Sequence, residues 1–277
     1  MFIGLDLGTS SLKAILIDDA HAVRAEASAP LTVSRPRDGW SEQDPESWIA
    51  AARTALQALA SQADLSSVRG IGLSGQMHGA TLIDANGSAL RAAILWNDTR
   101  AHAEADMLDA DPKFRAITGN IVFPGFTAPK LVWLARHEPE VFDRVAKVLL
   151  PKDYLRLWLT GEAVSEMSDA SGTSWLDTGA RDWSADLLAA TGMSLAQMPR
   201  LVEGSAVSGH LRDALAAELG LPKGTKVAGG AGDNAAAGIG LGVVKAGQAF
   251  VSLGTSGVLF AATEGYHPDP ATAVHTF

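Results

Sequence analysis

The residues best equipped for chemistry fall in a few short segments. Asp6 lies within an apolar run, Phe2 to Leu7, directly ahead of Gly8-Thr9-Ser10. A carboxylate in such a strand costs free energy without a partner. Magnesium bound to a nucleotide is the natural one, since it takes hard oxygen ligands and keeps waters; the plainer reading is that Asp6 only caps the turn. The glycine and hydroxyl residues behind it offer N–H and O–H groups suited to phosphate oxygens. Asp233 follows Gly229-Gly230-Ala231-Gly232 and opens a run of small residues. A lone carboxylate there can take a hydroxyl proton, a role that typically contributes about 10²–10⁴-fold to rate. It would also serve as a helix N-cap, and the two roles are compatible. Asn234 beside it could orient a ligand hydroxyl. Gln76-Met77-His78-Gly79 joins polar groups to a flexible thioether just after a strand, where α/β proteins commonly bind ligands. That mixture suits a polyhydroxylated ligand, although His78 alone is equally a structural hydrogen-bonder. Trp96-Asn97-Asp98-Thr99-Arg100 is a second aromatic and polar cluster. Its plainer reading buries Trp96 in the core and makes Asn97 or Asp98 a helix cap.

The elements that must carry these residues follow from periodicity. Phe2 to Leu7 and Ser11 to Ile17 are apolar runs joined by turn chemistry, a hairpin pattern, with Val23 to Ala27 as a third strand. Three strands in succession disagree with a Rossmann start, where a helix follows the first strand. Asp44 reads as an N-cap with Pro45 at the first helical position. Trp48, Ala51, Ala52, Ala55, Leu56 and Leu59 then give that helix one apolar face. Strands are expected over Val68 to Leu73, Ala80 to Asp84 and, after the Asn86-Gly87 turn, Leu90 to Trp96. From Asp98 to about Leu219 the pattern is mainly helical, with Gly161, Gly192 and Gly220 as helix stops. Lys226 to Ala228 returns to strand, a glycine loop follows, and a helix runs from Asp233 to Gly240.

A further strand–turn–strand unit, Gln248 to Leu253 and Gly257 to Ala262, repeats the opening one: Leu7-Gly8-Thr9-Ser10 recurs as Leu253-Gly254-Thr255-Ser256. Two such turns could grip phosphate oxygens from two sides. Several alternatives fail on context. Gly70-Ile71-Gly72-Leu73-Ser74-Gly75 spells a dinucleotide fingerprint, yet its first glycines lie inside a strand and a strand follows instead of a helix. Walker A, H-E-x-x-H and G-x-S-x-G patterns are absent. The 277 residues carry a formal charge of −9, which argues against nucleic acid or anionic membrane as partners. The absence of cysteine removes disulfides and thiolate chemistry and fits a reducing cytoplasm. The first apolar run is broken by Asp6 and Lys13, and Val227 to Val244 carries Asp233, so neither reads as a signal or a membrane span.

The motifs together resemble the FGGY carbohydrate kinases, within the sugar kinase/Hsp70/actin superfamily, and among them most closely the bacterial xylulokinases. The resemblance rests on Asp6-Leu7-Gly8-Thr9-Ser10-Ser11, Gly39-Trp40-Ser41-Glu42-Gln43-Asp44-Pro45, Ser74-Gly75-Gln76-Met77-His78-Gly79, Leu95-Trp96-Asn97-Asp98-Thr99-Arg100, Ser168-Asp169-Ala170-Ser171-Gly172-Thr173 and Gly230-Ala231-Gly232-Asp233-Asn234-Ala235. It implies an α/β, RNase H-like domain duplicated into two, with sugar and nucleotide in the cleft between them. It further implies that Asp233 deprotonates the sugar hydroxyl and that Asp6 acts through Mg2+. Gln76, Met77, His78, Trp96, Asn97 and Asn234 then belong to the sugar side. Gly8, Thr9, Ser10 and Lys13, with Gly254, Thr255 and Ser256, belong to the ATP side. The implied reaction turns ATP and D-xylulose into D-xylulose 5-phosphate and ADP. A gluconate or polyol kinase shares the fold and chemistry, and an inactive sugar-binding fragment is the non-enzymatic alternative. The family's second domain continues well beyond its second phosphate hairpin, so the expected division is residues 1–245 as the sugar-binding domain and 246–277 as the opening of the nucleotide-binding domain. On that reading the chain is a fragment that binds ATP weakly or not at all. An apolar surface exposed near residue 277 would favour association into a homodimer.

Overall fold

The computed structural model describes residues 1–253 and 257–277. Strand β1 (Phe2–Leu7) turns back as β2 (Ser11–Ile17), pairing Asp6 with Lys13 and Leu7 with Leu12. Strand β3 (Val23–Pro30) lies antiparallel beside β2 and runs three residues past the expected Ala27. Alternation sends Ile3, Leu5, Leu7, Leu12, Ala14 and Leu16 to one face, all buried. The opposite face carries Gly4, Asp6, Lys13 and Ile15 and lies open along a cleft. The strand Gly70–Gly75 then pairs parallel to β1, with Asp6 beside Ser74. Lys226–Ala228 adds beyond it in parallel, and Val207–His210 closes that edge antiparallel. Parallel neighbours of an antiparallel hairpin are the RNase H-like arrangement that the family resemblance implies.

Helix α1 (Pro45–Gln62) covers the buried face. Asp44 caps it by accepting the Glu46 N–H, and Trp48, Ala51, Ala52, Ala55, Leu56 and Leu59 are all buried, as their spacing predicts. Each large apolar side chain so buried contributes about 1.5–3 kcal/mol. A second core gathers around Phe114, Leu131, Trp133 and Trp175.

The segment from Asp98 to Leu219 is less helical than its pattern predicts. Helices such as His102–Asp109, Thr127–His137 and Pro151–Thr160 alternate with short strands, including Lys147–Leu149, Val164–Glu166 and Arg200–Val202. Strands of three residues carry too little periodicity to register. Gly161 and Gly220 do end helices in the left-handed conformation, and Gly192, also left-handed, falls one residue after the cap Thr191. The expected strand Leu90 to Trp96 shrinks to Ala93–Ile94, and Val68 to Leu73 moves to Gly70–Gly75. Near the end, Ala249–Leu253 and Gly257–Ala261 pair with each other, apart from the main sheet. The turn expected to mirror the first one, Gly254, Thr255 and Ser256, lies outside the described residues.

Candidate active site

Alternation along β1 sends Asp6 to the open face of the sheet, where it lies in register between Lys13 on β2 and Ser74 on the parallel strand. Its Oδ1 accepts a hydrogen bond from Ser74 Oγ at 2.9 Å. Asp6, Lys13 and Ser74 line a cleft of about 900 Å³ whose other walls include Ser168, Ala235 and Phe260. The turn behind Asp6 is held tightly, with Gly8 N–H donating to the Ser11 carbonyl and Ser10 O accepting from Leu31 N–H. Ser10 is exposed.

Thr9, expected on the ATP side, has its side chain engaged within the protein. Its hydroxyl donates to Gln76 Oε1 and accepts from Trp96 Nε1, both at 3.0 Å, so it is turned into the protein and engaged there. A turn contact to phosphate would therefore run through backbone N–H groups instead. Gln76 is buried, and its amide donates to Gln43 Oε1 at 3.0 Å. Gln43 also receives Trp48 Nε1 at 3.1 Å and donates to the Thr9 carbonyl at 2.7 Å. Gln76 is thus a strut between segments. Trp96 is 45% exposed, contrary to the core placement, and its ring borders the turn. Asn97 Oδ1 is buried without a hydrogen-bond partner among the described residues. The helix after this cluster starts only at His102 with Ala101 as its cap, so neither Asn97 nor Asp98 caps it. Asp98 instead accepts from Ser41 N–H and pairs with the buried Arg100.

His78 sits in the left-handed region at φ 69°. Its Nδ1 lies 2.9 Å from the Gly172 carbonyl. A carbonyl can only accept, so Nδ1 carries the proton, which leaves Nε2 a lone pair in the neutral ring. Burial, reinforced by His275 nearby, holds the imidazole well below its usual range. The ring stacks on Phe126 at 4.5 Å, with the His275 ring 5.5 Å away. The backbone is fixed from behind: Lys130 Nζ donates to the His78 carbonyl at 2.8 Å and to Gly125 O at 2.7 Å. Burial brings that lysine down to about 7. Met77 is buried with its thioether against Gly232, where an added Cβ would lie 2.8 Å from the sulfur.

The glycine loop must thread between backbones. Gly230 adopts φ +76°, and a Cβ there would fall 2.2 Å from the Leu73 carbonyl, so only glycine serves. The helix Asp233–Gly240 begins with Asp233 as its first residue; Gly232 is the cap. Asp233 therefore does not cap the helix with its side chain. Its Oδ1 instead accepts Asn234 N–H at 2.7 Å and Asn234 Nδ2 at 3.0 Å. The residue is open to solvent on one side while protein crowds its carboxyl, and desolvation, with the Asp6 charge adding, raises the carboxyl above its ordinary range. The two carboxylates singled out from the sequence therefore sense one another. Of these residues Asp6 lines the 900 Å³ cleft, whereas Gln76, Met77, His78, Asp233 and Asn234 are not among its lining residues.

A buried charge cluster stands behind this loop, and the sequence reasoning missed it. Lys152 Nζ lies 2.9 Å from Asp153, 2.9 Å from Asp169 and 3.2 Å from Glu166. Arg156 donates to the carbonyls of Ala228 and Gly229. The signal was present: Lys152, Asp153 and Arg156 interrupt an apolar run from Val148 to Leu159, and charges in such a run need partners for the reason applied to Asp6. Gln43 and His275 gave no comparable signal.

The sequence profile described as the FGGY family of carbohydrate kinases, N-terminal domain, matches residues 1–240. Curated relatives include a xylulose kinase of Klebsiella pneumoniae, 55% identical over all of this chain and 57% of its own length. One of Bacillus subtilis is 41% identical over 99% of this chain and 56% of its own. The chain thus spans little more than half the length of these relatives. A crystal structure described as a xyloylose kinase from Brucella ovis superposes with TM-score 0.97 at 66% identity, covering 99% of this chain and 57% of that one. A gluconate kinase from Lactobacillus acidophilus superposes with TM-score 0.93 at 25% identity, covering 98% of this chain and 55% of its own.

Proposed function

The chain belongs to the FGGY family of carbohydrate kinases, and from that premise we propose that the complete protein phosphorylates D-xylulose with ATP, yielding D-xylulose 5-phosphate and ADP. The observation that carries the chemistry is Asp233 at the mouth of a glycine loop, its carboxyl raised by desolvation and by the charge of Asp6. A raised carboxylate is a better base for a sugar hydroxyl, and Asn234 keeps its orientation. His78 offers Nε2 as an acceptor for a second hydroxyl, and Asn97 offers a carbonyl oxygen without a partner among the described residues. Phosphoryl transfer asks chiefly for in-line placement and charge neutralisation, which the turn after Asp6 supplies through backbone dipoles.

Asp6 fits magnesium by its chemistry: one oxygen is held by Ser74, and the excess of negative charge toward Asp233 calls for a cation. Among the described residues no group of three ligating side chains could hold a metal alone. That suits an ion carried in on nucleotide phosphates with its waters; bound there, it would neutralise phosphate charge. The proposal includes the division into a sugar-binding domain, residues 1–245, and the opening of a nucleotide-binding domain, residues 246–277. Work in the cytoplasm also belongs to it, and no helix among the described residues is long and apolar enough to cross a membrane. So does a homodimer.

A second reading, gluconate as substrate, is favoured by the gluconate kinase likeness alone. A sugar panel with the full-length enzyme separates them, and sedimentation of the same preparation reads its assembly. Ketopentose turnover is expected, with Asp233→Ala lowering kcat about 10²–10⁴-fold. Preference for gluconate would replace the substrate, and a fully active variant would dismiss Asp233 as the base.

A further inference from the structure

We propose that Ser168 is a positioning residue for the Asp233 base, its hydroxyl pinning the peptide that leads into Asp233 to the buried Lys152 cluster. This inference rests on the kinase reading above. Ser168 Oγ accepts the Gly232 N–H at 3.0 Å, one residue before Asp233. The same oxygen donates to Glu166 Oε2 at 2.8 Å, and Glu166 also takes the Ser168 N–H at 2.8 Å and the Asp169 N–H at 3.0 Å. Glu166 is in turn held by Lys152. The hydroxyl has one proton and two lone pairs; its proton goes to the carboxylate, which fixes a lone pair toward Gly232.

Other features make this link matter. The helix that Asp233 opens has no side-chain cap of its own. The loop ahead of it, Gly229-Gly230-Ala231-Gly232, has glycine at three of four positions and so little intrinsic stiffness. Its rigidity must come from outside: Arg156 grips Ala228 and Gly229, the carbonyls of Ala206 and Gly204 accept the Gly229 and Gly230 N–H groups, and Ser168 grips Gly232. The strand Ala231–Gly232 pairs with Ser74 and Gly75, beside Asp6. Ser168 thereby closes a frame in which Asp6 and Asp233 keep a fixed relation. The side chain borders the cleft, yet its proton is committed inward, so its service is to the loop.

Steady-state kinetics of the full-length enzyme with Ser168→Ala test this. The expected result is kcat lowered about 10- to 100-fold with both KM values within about twofold, as for a base displaced by a fraction of an ångström. The variant should also differ in its pH profile. Loosening the loop lets water reach Asp233, which lowers the carboxyl from its raised value, so the acid limb of kcat should move to lower pH. Mere damage to folding would leave that limb in place while lowering the thermal midpoint. An active parent whose Ser168→Ala variant keeps both kcat and the acid limb would overturn this inference alone. Loss confined to the sugar KM would overturn it too, marking Ser168 as a binding group. A parent inert toward every sugar would overturn the kinase reading, and this inference with it.

Discussion

Asp233 shows how a residue's chemistry depends on a neighbour remote in sequence. Desolvation is the main cause of its raised carboxyl, the Asn234 N–H works against it, and Asp6 adds to it through space. The sign follows: a base held above its ordinary range loses activity at a higher pH than a free aspartate would. Removing the Asp6 charge should undo part of this. In a ¹³C carboxyl titration of Asp6→Asn, Asp233 should protonate at lower pH than in the parent; an unmoved titration would separate the two groups. Both carboxylates were legible in the sequence, because an acid inside an apolar strand or after a glycine run is conspicuous. The contacts of Thr9 were not legible, since nothing local to Gly8-Thr9-Ser10 shows that the hydroxyl turns inward to Gln76 and Trp96. His275 was invisible because its relation to His78 exists only once the chain has folded back on itself.

Between elements, Gln43 is the tie that matters most. It joins α1 through Trp48, the β1–β2 turn through the Thr9 carbonyl, and the end of the Gly70–Gly75 strand through Gln76. Gln43→Leu would keep the volume while orphaning the Trp48 N–H and the Gln76 amide in a buried place. Each unsatisfied group costs about 1–3 kcal/mol, so urea unfolding should show a loss of that order or greater; an unchanged midpoint would mean that water or rotation repairs the gap. The elements themselves were readable wherever the pattern was long. The eighteen residues of α1 display cap, proline and apolar face together, and the opening hairpin alternates cleanly. Three-residue strands such as Lys147–Leu149 owe their existence to partners far along the chain, and no local pattern can announce that.

At the scale of the molecule, the Lys152 cluster is a network of charges closed off from solvent. Asp169 is pushed up to about 8 by burial, with Lys152 opposing and Asp153 and Glu166 adding. An unfolded chain releases that proton near the ordinary 3.8. The folded state therefore binds it more tightly, and its contribution to stability is complete below about pH 4 and drains away as pH rises to about 8. Asp169→Asn cannot ionise, so the variant's stability relative to the parent should improve from about pH 5 to about pH 8.5; a relative decline over that range would reverse the assignment. The family fold was legible because its motifs recur in order, whereas this cluster reveals itself only when Lys152, Glu166 and Asp169 meet. The Thr9 bridge also acts at this scale. A hydroxyl shared by Trp96 and Gln76 makes the glycine turn and the aromatic cluster a single constraint, so stilling either end lowers the entropy still to be lost at the other. Linkage is reciprocal: whatever preference an occupant of one end confers on the second, the second returns in equal measure.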